Sequence, residues 1–195
     1  MDLALLKAGF HLAYIDVQNM YGSPTAMGHM DAFYACLTGI YGLAPKPVLE
    51  GFSRGALFAM NWAVRNPGAV SCLYLDAPVC DFRSWPGGLG RAAGSVQDWQ
   101  QLLLTYGLTE RQALGPGHSP VDNLGSLAAA GIPIVAVYGE ADEDLPPEEN
   151  ILLAQKRYVE LGGEIEVIAK PGIGHHPHSL ADPTPILNFI FPRAL

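Results

Sequence analysis

Charge is scarce in this chain of 195 residues, and basic charge is scarcest. Charged residues make up 15%, with eleven Lys and Arg against nineteen Asp and Glu, a net of −8. There is no basic run, so an extended phosphate backbone would be repelled rather than gathered, and nucleic acid is not an expected partner. Cysteine is also rare. Cys36, Cys72 and Cys80 are odd in number, and Cys36 and Cys72 sit in apolar segments, which fits reduced core thiols better than a disulfide framework. Long hydrophobic runs are missing as well. The most apolar late stretch, Leu124 to Tyr138, is interrupted by Gly131 and Pro133 and is too short to cross a bilayer, so no membrane partner is expected. The first turn carries Asp2 and Lys7 and lacks the apolar core of a signal peptide. The expected location is cytoplasmic for the chain as written, and secreted or periplasmic if an amino-terminal segment is missing.

What the chain does have is core-forming material. It is 49% hydrophobic, and its length suits one domain spanning residues 1–195. Strand-like and helix-like segments alternate along it. Residues 2–8 read as a helix stopped by Gly9, and His11 to Val17 as a buried strand. Met27, Met30, Phe33, Tyr34, Leu37, Ile40 and Tyr41 recur at helical steps up to Gly42. A strand from Val48 to Glu50 leads through a turn into an apolar helix, and further strands follow at Val70 to Ala77, Ile134 to Tyr138 and Glu164 to Ala169. A helix opened by Pro146-Pro147 ends at Gly162-Gly163, and Asp182 can cap a last helix that begins at Pro183. Repeated strand-helix-strand units predict an α/β fold with a mostly parallel sheet and helices on both faces.

Residues 81–120 break the rhythm, with Trp85, Trp99, a Gly87-Gly88-Leu89-Gly90 cluster and a helix starting at Ser95. In that helix Val96, Trp99, Leu102, Leu103 and Tyr106 are expected to face inward, with Gly107 as the stop. An insertion after a strand's carboxyl end lies over the crevice where open parallel sheets bind ligands, so this segment is read as either a lid or a packing excursion.

The strongest local signal is Gly51-Phe52-Ser53-Arg54-Gly55, a G-x-S-x-G turn set between a strand and a helix. Such a corner exposes its serine, and small residues two before and two after let neighbouring backbone pass closely. A serine hydroxyl needs a base within hydrogen-bond reach and a third group to orient that base. Downstream, Asp142 follows the strand Ile134 to Tyr138, and His175 follows the last strand, giving the chain order serine, acid, histidine. Asp144 and Asp76 compete for the acid's place, and His176 for the base's.

With these residues the chain resembles the esterase and lipase branch of the α/β-hydrolase superfamily. Gly139 and Asp142 match that family's Gly-x-x-Asp turn, and Gly174-His175 its glycine-preceded base. The resemblance implies Ser53 as nucleophile, His175 as general base and then acid, and Asp142 as the group that fixes the imidazole. It also implies that the backbone N–H of Arg54 is one oxyanion donor. Members of the family begin with further strands, one of which carries the second donor, so the resemblance implies an amino-terminally shortened α/β-hydrolase core with a gap in its sheet. A replacement donor is sought in the Asn19 to Ser23 loop, from the Tyr21 hydroxyl or the backbone at Gly22. The Arg54 guanidinium reads either as a substrate contact or as the partner of a nearby acid.

The activity implied is hydrolysis of carboxylic esters with short acyl or acetyl groups through an acyl-enzyme, on a small-molecule ester substrate. A weak or inactive binding scaffold and a peptidase or amidase are the alternatives. An exposed sheet edge would offer a route to a homodimer. His175, His176 and His178 raise a metal reading. Adjacent histidines in a proline-containing loop share no helix face, and no Cys or carboxylate ligand cluster accompanies them. No metal and no cofactor is therefore expected.

Overall fold

A computed structural model describes residues 1–194 of the chain. Four strands, β1 (Val48–Phe52), β2 (Cys72–Asp76), β3 (Ile134–Gly139) and β4 (Ile165–Lys170), form one sheet in the order β1-β2-β3-β4 with every pair parallel. The fold class is thus α/β with a parallel sheet. Side chains alternate across it. Leu73, Leu75, Ile134 and Ala136 join one core with helices α3 (Gly55–Arg65), α6 (Leu124–Ala129) and α7 (Ile151–Glu160). Cys72, Tyr74, Val135 and Val137 join another with α1 (Asp2–Lys7) and α8 (Thr184–Ala194). β2 is buried at all five positions, as a strand covered on both faces must be, and its continuous apolar run reads that way. Among the described residues no helix is long and apolar enough to cross a membrane.

Helix boundaries follow the local chemistry. The Ser23 hydroxyl caps helix α2 (Pro24–Gly39), whose first position is proline. Ser95 caps α4 (Val96–Tyr106), which ends on Gly107 at φ 66°. Within α4, Leu102 is fully buried but Val96 is 76% exposed, because the first turn of the helix projects past the cluster that its later turns fill. α2 ends at Gly39, which leaves Ile40 and Tyr41 beyond it and exposed.

The expected strand at His11 to Val17 is absent. These residues form no ladder and most of them are exposed. β1 is the edge of the sheet, and among the described residues this segment has no ladder partner. A strand is stable only when its N–H and C=O groups are matched, so an apolar run without a neighbour stays solvated.

The excursion at 81–120 is closed at its neck. Phe82 N–H donates to Ser119 Oγ at 3.0 Å, and Ser119 Oγ donates to Asp81 at 3.2 Å. Arg83 bridges Asp81 and Asp122 at 2.7 and 3.0 Å. Phe82 and Leu102, fully buried, pack with Tyr21 and Leu57, and Trp85, Trp99 and Tyr106 lean on the same cluster. α5 (Glu110–Ala113) carries a Thr109–Gln112 capping box.

Candidate active site

β1 runs into a turn that places Ser53 at φ 49°. A left-handed conformation at a non-glycine residue costs about 1–3 kcal/mol and persists only where the surroundings enforce it. Here Ser53 N–H donates to the Asp76 carbonyl at 2.8 Å, and the Ser53 carbonyl accepts from Ala56 and Val79, both at 3.1 Å. Gly51 is required, since a Cβ there would stand 2.8 Å from the Ala56 Cα. Gly55 is not, since its Cβ would meet nothing within 4 Å. Only one of the two glycines therefore serves close approach.

The structure brings Ser53, His175 and Asp142 together. His175 Nε2 lies 2.9 Å from Ser53 Oγ, and His175 Nδ1 lies 2.8 Å from Asp142 Oδ2. The other carboxylate oxygen of Asp142 accepts the Leu145 N–H at 2.8 Å, which locks the acid's rotamer. Its hydrogen bond to Asp142 raises the His175 pKa above the ordinary imidazole value. Burial opposes that rise, while the charges of Asp142, Asp144 and Asp76 support it. The competing residues do not take these places: Asp144 and His176 are exposed, and Asp76 is taken up by another network.

Asp76 ends β2 fully buried. It accepts from the Tyr74 hydroxyl at 3.1 Å and from the Ser179 N–H, with Lys170 Nζ at 3.7 Å and His178 Nδ1 at 3.5 Å. Lys170 in turn donates to the Pro177 carbonyl at 2.6 Å. This hub fastens the loop that follows β4, and hence the His175 it carries, to the middle of the sheet. Burial lowers the His178 pKa, against the pull of Asp76.

The oxyanion side is less complete. The Arg54 backbone N–H follows Ser53 and has no intrachain partner among the described residues. Tyr21 is buried, and its hydroxyl donates to Asp98 Oδ1 at 2.5 Å. A phenol has one proton to donate, and as placed the Tyr21 proton goes to Asp98. Burial, then Asp98, pushes the Tyr21 pKa up to about 12. Gly22, at φ 68°, packs against α3, where a Cβ would stand 2.5 Å from the Leu57 carbonyl oxygen. Its own carbonyl accepts from Asn61 at 3.0 Å. The Arg54 guanidinium, 40% exposed, lies 3.4 Å from both Asp98 and the Tyr21 hydroxyl, so it pairs with an acid.

Sequence reasoning missed Asp98 and the Asp76 hub. Ser95 and Asp98 have the spacing of a helix cap, and Ser95 Oγ does accept the Asp98 N–H at 3.2 Å. That local signal was readable, but the second role of Asp98, toward Tyr21 and Arg54, was not. From sequence, His175, His176 and His178 stand together but share no helix face, which sets a shared site aside; a loop gathers them instead. One ring nitrogen of each lies within 4.8 Å of the other two.

Solved structures with a similar fold include Porphyromonas gingivalis dipeptidyl peptidase 4, at TM-score 0.66 and 15% identity over 86% of this chain and 22% of that one. Esterase PE8 aligns at TM-score 0.56 and 18% identity over 93% of this chain and 68% of that one. Pyrococcus horikoshii acylaminoacyl peptidase aligns at TM-score 0.61 and 12% identity over 82% of this chain and 25% of that one. The chain therefore spans a quarter or less of these two peptidases and about two thirds of the esterase. No family model and no curated protein sequence matches. The likeness is one of fold.

Proposed function

We propose that this chain, which has the α/β-hydrolase fold, is a serine hydrolase that cleaves short-chain carboxylic esters. One observation carries the reading: a serine on a strained strand-to-helix corner stands 2.9 Å from an imidazole whose far nitrogen lies 2.8 Å from a buried aspartate. In the proposed cycle, Ser53 Oγ attacks the ester carbonyl carbon as His175 Nε2 takes its proton. The oxyanion meets the Arg54 N–H. Collapse breaks the bond to the leaving alcohol, which receives the proton from His175 and departs, leaving an acyl-serine. Water, deprotonated by His175, attacks that acyl group, and the acid leaves as Ser53 regains its proton.

Short acyl groups are favoured because Phe82, Trp99 and Leu102 of the excursion pack into the protein's own core rather than line an acyl groove. A second reading, cleavage of peptide or amide bonds, is favoured by the peptidases among the structural neighbours. Turnover of aryl acetates and butyrates, alongside peptide anilides, by the purified chain and its Ser53→Ala variant tests both. Serine-dependent release from the esters alone is the expected result. Equal or faster release from the anilides would transfer the assignment to the second reading. A folded chain with no serine-dependent turnover on either would leave a binding scaffold.

A further inference from the structure

Three imidazoles meet beside the nucleophile, and the proposed hydrolysis uses one of them. The rings of His175, His176 and His178 stand edge to face, with centroids 4.9, 5.4 and 4.7 Å apart and interplanar angles of 76°, 80° and 77°. Three imidazoles on a tetrahedral zinc ion, with bonds of about 2.05 Å, hold their centroids about 5.2 Å apart and their ligating nitrogens about 3.3 Å apart. The rings already have that spacing. The nitrogens lie within 4.8 Å of one another, so binding requires the rings to turn and draw them closer.

One of the rings is backed as metal-bound histidines are, and a second has a carboxylate near enough to take that part. His175 Nδ1 faces Asp142 at 2.8 Å, and His178 Nδ1 faces Asp76 at 3.5 Å; both carboxylates are buried. A carboxylate on one ring nitrogen fixes the tautomer that leaves the other nitrogen's lone pair free for a ligand. Asp76 Oδ1 and His178 Nδ1 are buried without a hydrogen-bond partner, although they face one another. An orphaned buried pair of this kind calls for an explanation. A turn of the His178 ring that brings Nε2 toward its neighbours and closes the 3.5 Å gap supplies one. Phe52, stacked on His178 at 5.5 Å and 12°, guides that ring. Neutral imidazoles suit zinc and its neighbours in the first transition row.

We propose that His175, His176 and His178 form a binding site for a divalent transition-metal ion, zinc foremost. The bound ion silences the chain by taking the Nε2 lone pair that otherwise accepts the Ser53 proton. The silencing rests on the hydrolase reading above; the binding does not.

Titration of zinc chloride into the metal-free chain, followed by calorimetry, tests the binding. One ion per chain is expected for the parent and for Ser53→Ala, whose behaviour separates binding from hydrolysis. His176→Ala removes an exposed ligand without threatening the core. It is expected to weaken binding by at least the roughly 10–100-fold that loss of a ligand's outer hydrogen-bond partner costs. His178→Asn is expected to do the same, and His29→Ala, on α2, to match the parent. In parallel, aryl acetate turnover of the parent is expected to fall as the calorimetric site fills, with each variant compared against its own zinc-free rate. Absence of saturable binding, or affinity indifferent to both His176→Ala and His178→Asn, overturns the site. Unchanged or faster turnover at full occupancy overturns the silencing. If the zinc-free parent has no turnover, the hydrolase reading fails while calorimetry still decides the site.

Discussion

Replacing Gly139 by alanine adds one methyl group at the end of β3, at the point where the loop carrying the base crosses the strand. Its Cβ would overlap the carbonyl oxygens of Ile173 and Gly174 and stand 2.9 Å from the Ile173 carbonyl carbon. Carbon atoms in contact prefer about 3.5–4.0 Å, so the loop has to retreat by about 0.6–1 Å. These are backbone atoms, and Ile173 is held by the Ala141 N–H at 2.9 Å, so a rotamer change gives no relief. His175 lies one residue beyond Gly174, and its 2.9 Å contact with Ser53 would open past about 3.5 Å, outside hydrogen-bond range. A misplacement of that size costs on the order of 10² in turnover, with about 1–3 kcal/mol of stability lost to overpacking. Gly174→Ala is the matched control. Its Cβ would meet only the Ala141 carbonyl oxygen, at an ordinary 3.6 Å, so turnover is expected to hold although the methyl lies next to the base. Aryl acetate turnover and thermal melting of the two variants, side by side, make the comparison. A folded Gly139→Ala protein as active as Gly174→Ala would refute the claim that this crossing positions His175.

In the proposed cycle turnover needs a neutral His175, whose pKa is raised above the ordinary 6.5 by its bond to Asp142. In chelator-treated buffer, activity is therefore expected to rise with pH through a midpoint above 6.5. The stability contributed by the protonated His175–Asp142 pair is complete below 6.5 and lost as pH climbs through the raised value. Asp142→Asn is expected to lower that midpoint and to reduce turnover by about 10⁴, read from the same pH–rate profile. Gly22→Ala combines φ 68° with a Cβ 2.5 Å from the Leu57 carbonyl and is expected to destabilise by about 1–3 kcal/mol, measured as the shift in urea midpoint. Thiol labelling is expected to reach half-buried Cys36 first. Cys72, pushed up to about 11 by burial, and Cys80, also raised by burial, should wait for unfolding.

The elbow, the parallel order of the strands and the Ser53, Asp142 and His175 set were legible because each is written within a few residues. A strand announces itself by apolar runs, and a turn by its glycines. Chain order then limits which loops reach the carboxyl edge of the sheet. His11 to Val17 misled because hydrophobicity reports a tendency toward burial and says nothing of a ladder partner. Asp98 was invisible as a partner of Tyr21 because 77 positions separate them, and its spacing from Ser95 already had a complete local explanation. Gly139 carried two meanings, a match to the acid's turn and a crossing point for the His175 loop. Only the second requires that no side chain be present.

The two halves of the site differ in how they are held. Ser53 and His175 are fixed redundantly, through the backbone bonds around Ser53, the Asp142 carboxylate bonded at both oxygens, and the Asp76 hub under the histidine loop. On the oxyanion side, Asp98 keeps the Tyr21 proton to itself. Burial tends to raise the Asp98 pKa, but hydrogen bonds from Ser95 and Tyr21 and the charge of Arg54 outweigh it and lower the value. The carboxylate therefore stays ionised at neutral pH and remains the better acceptor for that phenol. In the proposed cycle, loss of one oxyanion donor costs about 10²–10³ in turnover, so the commitment of the Tyr21 proton to Asp98 matters to the rate. The bond that holds the Tyr21 hydroxyl is the one to Asp98. Withdrawing the Asp98 charge, by Asp98→Asn or by a substrate cation that pairs with it, weakens that bond and is the route by which Tyr21 could turn toward a developing oxyanion.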